Sequence, residues 1–345
     1  MTDSREPNQM VRSLEAFIAE QGRYKTVEVE TLRRMSGGVS HEIWAVDALL
    51  DDGSNRTARK LVLRRDPSDT KISIHAGLRA EFLVMRAAHR EGVPVPEVFW
   101  LCEDSAVLGA PFFIMERVEG ETIARRLLRD QTYARAREVI IVQLAEILAR
   151  IHRIDVARHG LDFLPPPGDS AARTEILRFA EIYRQFSVDE PHPAFELALR
   201  WMLANLPASK TQSLVHADYR IGNAVFGPEG VRAILDFEGA HLGDPMEDVG
   251  WFLIRPWRYG EDDKAAGGLA PREVFLEAYA KASGVPIDAK TAHFWEIFGN
   301  FRWGVITMRD ARVYRAWSPP SIELASIGRR TAETELELLN LVGDG

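Results

Sequence analysis

Apolar positions recur with a period near two in the first third of the chain and with a helical period beyond it. From Thr26 to Arg34, Val27, Val29 and Leu32 interrupt charged residues, and the segment runs into Ser36-Gly37-Gly38. Glu42 to Asp47 carries Ile43, Trp44, Ala45 and Val46 in a strand-like order, and Asp51-Asp52-Gly53-Ser54 reads as a turn. Lys60 to Arg64 is a short apolar run with β-branched content, as in a buried strand. Together these segments predict a three-strand meander with hairpin connections. Leu78, Phe82, Met85 and Ala88 then fall at helical spacing, and Gly92-Val93-Pro94-Val95-Pro96 stops that helix. Phe112 to Met115 is a further apolar strand.

After Gly120 the pattern turns helical. Val139, Leu144, Ile147, Leu148 and Ile151 form a long amphipathic stripe. Pro165-Pro166-Pro167-Gly168 reads as a loop, and helix resumes through Phe195 to Leu206. Ser213 to Val215 and Val231 to Asp236 read as short strands, and the tail from about Phe275 to Leu341 is helical again. Strands first and helices afterwards predict an α+β protein. The lobe boundary is expected near Glu116 to Gly120, giving lobes of 1–116 and 117–345.

Composition narrows the function classes. A hydrophobic fraction of 46% over 345 residues is enough for a sizeable core. No uninterrupted apolar run of about 18 residues marks a membrane span, and the polar first residues lack the apolar core of a secretion signal. Cys102 is the single cysteine, which excludes an intrachain disulfide and a cysteine-cluster metal site. A reducing, cytoplasmic setting is expected. The net charge of −8 argues against bulk nucleic-acid binding and leaves room for a local basic pocket. The nine histidines are scattered, without metal-ligand spacing. No repeat is evident, and the oligomeric state is not legible.

The chemistry concentrates in Leu214-Val215-His216-Ala217-Asp218-Tyr219-Arg220-Ile221-Gly222-Asn223, with Asp236 thirteen residues further on in Ile234-Leu235-Asp236-Phe237-Glu238. Phosphoryl transfer explains these residue types, because its transition state asks for positioning and charge control. Asp218 is the candidate to orient an acceptor hydroxyl and take its proton. Asn223 and Asp236 offer the hard oxygen donors that magnesium prefers. Gly243-Asp244-Pro245-Met246-Glu247-Asp248 reads as a helix start, with Asp244 as N-cap, Pro245 at the first helical position and Glu247 completing a capping box. Asp244 and Asp248 are therefore expected to be structural supports of the loop that carries Asp236.

Leu214 to Asn223, Ile234 to Asp248 and Leu61 to Pro67 resemble the aminoglycoside phosphotransferase and choline-kinase-like superfamily. Within it they look closest to the branch related to kinase domains fused to acyl-CoA dehydrogenases. The resemblance covers roughly Arg33 to Leu338. It implies a bilobal, protein-kinase-like fold, with a small N-terminal antiparallel-sheet lobe and a larger, mostly helical C-terminal lobe. ATP would bind between the lobes. The resemblance also implies Asp218 as catalytic base, Asn223 and Asp236 as magnesium ligands, and His216 as a brace of the catalytic loop.

On the nucleotide side, Gly37 and Gly38 would let backbone N–H groups approach phosphates. Arg64 stands where kinases carry a lysine, keeping the charge and adding a forked donor. Lys60 shares a strand face with Arg64 and is the substitute candidate. Glu81 is the natural ion-pair partner of Arg64. By the same resemblance, adenine would bond the hinge backbone near Glu116 and Val118.

For the acceptor, Arg302 and Arg309 fall on one helical face two turns apart. Arg312 lies in the same segment, Arg255 and Arg258 follow the helix that starts at Asp244, and Trp251, Phe252, Trp257, Trp295 and Trp303 add aromatic surface. These suggest an anionic, partly apolar hydroxyl substrate such as a hydroxy acid or a hydroxyacyl thioester. The plainer reading pairs the arginines with Asp310, Glu261 and their neighbours. His152 reads as a helix-end histidine, Cys102 as a partly buried thiol, and His41 and His75 carry no assigned role. Alternatives are an aminoglycoside-type kinase and an inactive nucleotide-binding regulatory module, the latter disfavoured because Asp218, Asn223 and Asp236 are all present. A protein kinase is disfavoured because no Ala-Pro-Glu segment follows Asp236.

Overall fold

The alternating segments of the first third build one antiparallel sheet. The computed structural model describes residues 5–35, 41–66, 77–188, 190–209, 211–316 and 322–343. They divide into two units, 1–121 with 232–240 and 122–231 with 241–345.

In the first unit, helix α1 (Arg5–Gly22) precedes strands β1 (Thr26–Arg34), β2 (Glu42–Asp51) and β3 (Arg56–Arg65). Helix α2 (Leu78–Arg90), strand β4 (Val98–Cys102), helix α3 (Ser105–Leu108) and strand β5 (Phe112–Glu116) follow. The sheet order is β1-β2-β3-β5-β4, antiparallel throughout, so the expected meander forms and gains two strands. Register aligns Val46 with Leu61 and Leu63 with Ile114, which puts apolar side chains on one face. Leu14, Phe17 and Ile18 of α1 close that face, packing with Leu50, Leu61, Leu63, Phe112 and Ile114. Neither α1 nor β4 was expected from the sequence pattern. The α1 stripe is hidden among charges, and β4 follows almost directly on the Gly92–Pro96 helix stop, where its apolar run reads as a continuation of the loop.

The second unit begins with α4 (Ala124–Arg129), α5 (Ala134–Ile151), α6 (Ala171–Phe186) and α7 (Pro193–Ala204). Strands β6 (Ser213–Val215), β7 (Ala224–Gly227) and β9 (His241–Gly243) surround the candidate loop, while β8 (Gly230–Ile234) leads into the 232–240 segment of the first unit. Helices α8 (Met246–Leu253), α9 (Arg272–Ser283), α10 (Ala289–Ala316), α11 (Ile322–Gly328) and α12 (Thr331–Gly343) complete it. β6 pairs antiparallel with β9, Val215 opposite His241. Helices α8 and α10 pack closely where each lacks a side chain. A Cβ on Gly250 would lie 2.3 Å from the Trp295 carbonyl carbon, and one on Gly299 2.7 Å from Ile254. That close approach sets where α8, and the residues it carries, meets the long helix.

The aromatic residues expected at the surface are core. Trp251, Trp257 and Trp303 are buried and pack with Ile254, while Phe252 and Trp295 are fully covered. The tryptophan cluster fills the seam between α8, α10 and α11, with Ile306 and Ile327 packed against it. Among the described residues no helix is long and apolar enough to cross a membrane.

Candidate active site

The loop after β6 is held in a conformation that its sequence does not favour by itself. Ala217 is buried with φ of 73°, in the left-handed region that non-glycine residues enter at a cost of about 1–2 kcal/mol. Asp248, on α8, fixes it. The Asp248 carboxylate accepts the backbone N–H of His216 at 2.7 Å and of Ala217 at 2.8 Å, and it pairs with His152 Nε2 at 3.0 Å. Against the cost of full burial, these donors hold its carboxyl below the ordinary value of 3.8. His152 caps the end of α5 and also bonds the Tyr279 hydroxyl at 2.7 Å. The helix-end histidine is thus the brace of the brace, a role no local pattern could show.

The chain beyond Ala217 presents Asp218. His216 is fully buried, and its Nδ1 faces the Asp218 N–H at 3.2 Å. Asp218 Oδ1 accepts from Trp251 Nε1 at 2.9 Å and from Arg220 Nε at 3.0 Å, and Oδ2 accepts from Asn223 Nδ2 at 2.6 Å. Asn223 Nδ2 also reaches the Asp218 carbonyl at 2.9 Å. With its nitrogen committed to Asp218, Asn223 turns its amide oxygen the other way, as a cation ligand would need. Arg220 lies 4.7 Å over the Trp257 ring. Tyr219 points inward and donates to the Leu144 carbonyl at 2.7 Å, anchoring the loop to α5.

Pro245, and not Asp244, stands at the N-cap of α8, one residue later than expected; Asp244 accepts from Met246 N, the first residue of the helix, at 2.9 Å, and burial pushes its carboxyl up. Glu247 does not complete the capping box. It is buried and pairs with Arg302 at 3.2 Å and His241 Nε2 at 3.1 Å. Arg302 is likewise buried, 4.6 Å over the Trp251 ring and 5.2 Å over Phe179. Arg309 pairs with its neighbour Asp310 at 2.9 Å. The two arginines therefore do not act as one cationic face, because packing of α10 against α8 covers the first. Arg258 is buried on Glu296, and Arg255 holds Asp262. Glu175, His241 and Glu247 bring three ligand atoms within 4.8 Å of one another, yet Arg178 and Arg302 already balance the two carboxylates.

The first unit carries a second polar cluster. Arg64 Nε stands 2.9 Å from Glu81, and its Nη2 lies 2.9 Å from Glu238 and 3.7 Å from Asp236. Arg64 and Glu81 are both buried. One guanidinium faces three carboxylates, and Asp236 sits at φ of 70°. Burial pushes the Glu81 carboxyl up to about 8; Arg64 opposes the shift, and Asp236 and Glu238 add to it. The surplus of carboxylate charge and the hard oxygen of Asp236 suit a divalent cation. His41 Nε2 meets Glu238 at 2.5 Å. Lys60 is exposed and bonds Glu119 at 2.7 Å, so it does not join the Arg64 cluster. β5 ends at Glu116, which is exposed, while Val118 is half-buried. Gly37, Gly38 and His75 lie outside the described residues.

A five-stranded antiparallel sheet unit and a helical unit carrying this acid-bearing loop define a kinase-like fold. The family model "Phosphotransferase enzyme family" matches residues 31–291, and the chain belongs to that family. It is 33% identical over 262 residues to mouse acyl-CoA dehydrogenase family member 10, covering 72% of this chain and 24% of that one. It is 32% identical over 315 residues to the probable acyl-CoA dehydrogenase IBR3 of Arabidopsis thaliana, covering 85% and 37%. The chain thus spans about a quarter to a third of the length of these relatives. Among solved structures, a putative aminoglycoside phosphotransferase from Ralstonia eutropha superposes with a TM-score of 0.75 at 25% identity, over 96% of this chain and 98% of that one. A thermostable mutant of aminoglycoside phosphotransferase APH(4)-Ia, solved with AMP-PNP and hygromycin B, gives 0.64 at 18% identity, over 96% and 98%.

Proposed function

We propose that this chain is an ATP- and magnesium-dependent small-molecule kinase that phosphorylates a hydroxyl of an anionic acceptor, such as a hydroxy acid or a hydroxyacyl thioester. The observation that carries the reading is the Asp218 carboxylate, presented by a strained loop and held by the Trp251, Arg220 and Asn223 donors. Asp218 orients the acceptor hydroxyl and takes its proton as the oxygen attacks the transferred phosphoryl group. Asn223 and Asp236 supply oxygen donors for magnesium, which when bound neutralises charge on the phosphate oxygens. Arg64, positioned by Glu81, is the phosphate-side cation, and the backbone near Glu116 and Val118 takes the base. A cytoplasmic, two-lobed kinase is consistent with this reading. Arg220 lies beside the base, but its charge is already paired with Asp218 at 3.0 Å, so it gives an anionic acceptor little support. Arg302 and Arg309 give it little support, since each has a carboxylate partner.

The test is magnesium-dependent ADP release across hydroxy acids, their thioesters, amino alcohols and aminoglycosides, with Asp218→Ala as control. A hit on an anionic acceptor that vanishes in the variant is expected. ADP release that survives Asp218→Ala, or a hit confined to cationic aminoglycosides, overturns the reading.

A further inference from the structure

The helical unit holds a second polar feature, away from the Asp218 loop in sequence and opposite in charge to the chain as a whole. Arg125 and Arg129 stand one turn apart on α4. Arg137, near the start of α5, is pinned across the end of α4 by bonds to the Leu127 carbonyl at 2.8 Å and the Asp130 carbonyl at 2.9 Å. These three arginines and Lys264 line a cavity of about 210 Å³ together with Tyr259, Glu261 and the Gly268-Leu269 turn. Four cationic side chains thus meet one carboxylate, and Glu261 is itself spent on Lys264 at 3.6 Å. Among the described residues neither Arg125 nor Arg129 has a carboxylate partner. A protein with a net charge of −8 gathers this much positive charge at one concavity only against its own bulk balance.

The cavity wall is built rather than incidental. Gly268 has φ of 73°, and a Cβ there would lie 2.4 Å from the Arg258 carbonyl oxygen and 3.2 Å from Leu128. The turn can therefore pack against α4 only with glycine at that position. Tyr259 adopts φ of 54°, a conformation costing a non-glycine residue of order 1 kcal/mol. Its hydroxyl accepts a hydrogen bond from Arg220, the residue that grips Asp218. A continuous polar path runs from the cavity through Tyr259 and Arg220 to the candidate base.

We infer that this cavity binds a phosphoryl or diphosphoryl group carried by the acceptor itself, distant from the hydroxyl that is phosphorylated. Forked guanidinium groups match the geometry of phosphate oxygens, and four cations suit a multiply charged anion better than a single carboxylate. The inference rests on the kinase reading for the word acceptor, but the binding it describes can be measured without turnover.

The probe is inorganic pyrophosphate, titrated calorimetrically into the full chain in EDTA, so that magnesium-dependent binding elsewhere is suppressed. Asp218→Asn serves as the parent, and Arg125→Glu/Arg129→Glu and Lys264→Glu are compared with it. Arg125, Arg129 and Lys264 are exposed, so both variants are expected to fold. Affinity should fall at least tenfold in the double variant and less in the single one, and binding to the parent should weaken with added salt. Equal affinity in parent and double variant, or no binding to either at millimolar pyrophosphate, overturns the inference. In the turnover arm, run with Asp218 intact, Arg125→Glu/Arg129→Glu should raise KM for a phosphorylated acceptor at least tenfold relative to its dephosphorylated twin. Pyrophosphate should compete with that acceptor. If it alters turnover without competing, the pocket serves a separate effector and the acceptor assignment is wrong. Charge-dependent pyrophosphate binding without phosphorylation of any acceptor would sink the kinase reading and leave the pocket standing.

Discussion

Replacing Asp248 by asparagine keeps the shape of the brace and removes its charge. Asp248 Oδ2 accepts from His216 N and pairs with His152, and Oδ1 accepts from Ala217 N. An amide can supply an oxygen at only one of these places. If the oxygen stays toward His216 and His152, the new NH₂ faces the Ala217 N–H, donor against donor. The loss is one charge-assisted bond, about 1.5–3 kcal/mol, together with a buried donor left unpaired at about 1–3 kcal/mol. Removing one member of a buried charged set costs about 3–5 kcal/mol in comparable cases, so a destabilisation of that size is expected. Ala217 would also lose the bond that holds it at φ of 73°, and Asp218 would be displaced with it. Urea unfolding followed by circular dichroism measures the first effect, and phosphotransfer measures the second, with at least about a hundredfold loss in kcat expected for a 3 kcal/mol loosening. The pH dependence gives an independent check. Because the folded carboxyl titrates below its unfolded value, its contribution is full above pH 3.8 and fades as the pH falls through the folded value. The variant should lack that acid-side decline. A destabilisation under about 0.5 kcal/mol with unchanged kcat would refute the brace.

Two further predictions follow from the strained and buried positions. Ala217→Gly relieves the left-handed alanine at about 1–2 kcal/mol and gives back about 0.5–1 kcal/mol in unfolded-chain entropy, so the unfolding free energy from urea denaturation should rise by roughly 0.5–1 kcal/mol; a lower value would contradict the strain. The Glu81 carboxyl is raised from 4.5 to about 8 by burial, with Asp236 and Glu238 adding and Arg64 opposing, so the folded protein holds a proton the unfolded chain has lost between those values. Stability should therefore decline across that window as pH rises, and Glu81→Gln should flatten the decline; an unchanged slope would show that Glu81 titrates normally.

The sequence by itself determined what short-range patterns encode. Period-two alternation placed the three-strand meander, helical spacing placed α2 and α5, and the order of segments gave the α+β class. The spacing of His216, Asp218 and Asn223 was legible because the three lie within eight residues on one loop. The match of Arg64 to Glu81 was legible because a strand and the next helix bring them together. Only the tertiary structure decided the rest. Trp251 is drawn from α8 onto Asp218, His152 from α5 onto Asp248, and Arg302 from α10 onto Glu247. Those partners are separated by 33, 96 and 55 residues. No local period records such separations. The Arg302–Glu247 pair is set by how α8 nests against α10 at Gly250 and Gly299, where the missing side chains allow the helices to meet. The same packing turned the tryptophans from surface into core and Arg302 from acceptor ligand into a buried partner. The basic cavity likewise joins α4, α5 and the turn after Tyr259, distant segments that only packing makes neighbours.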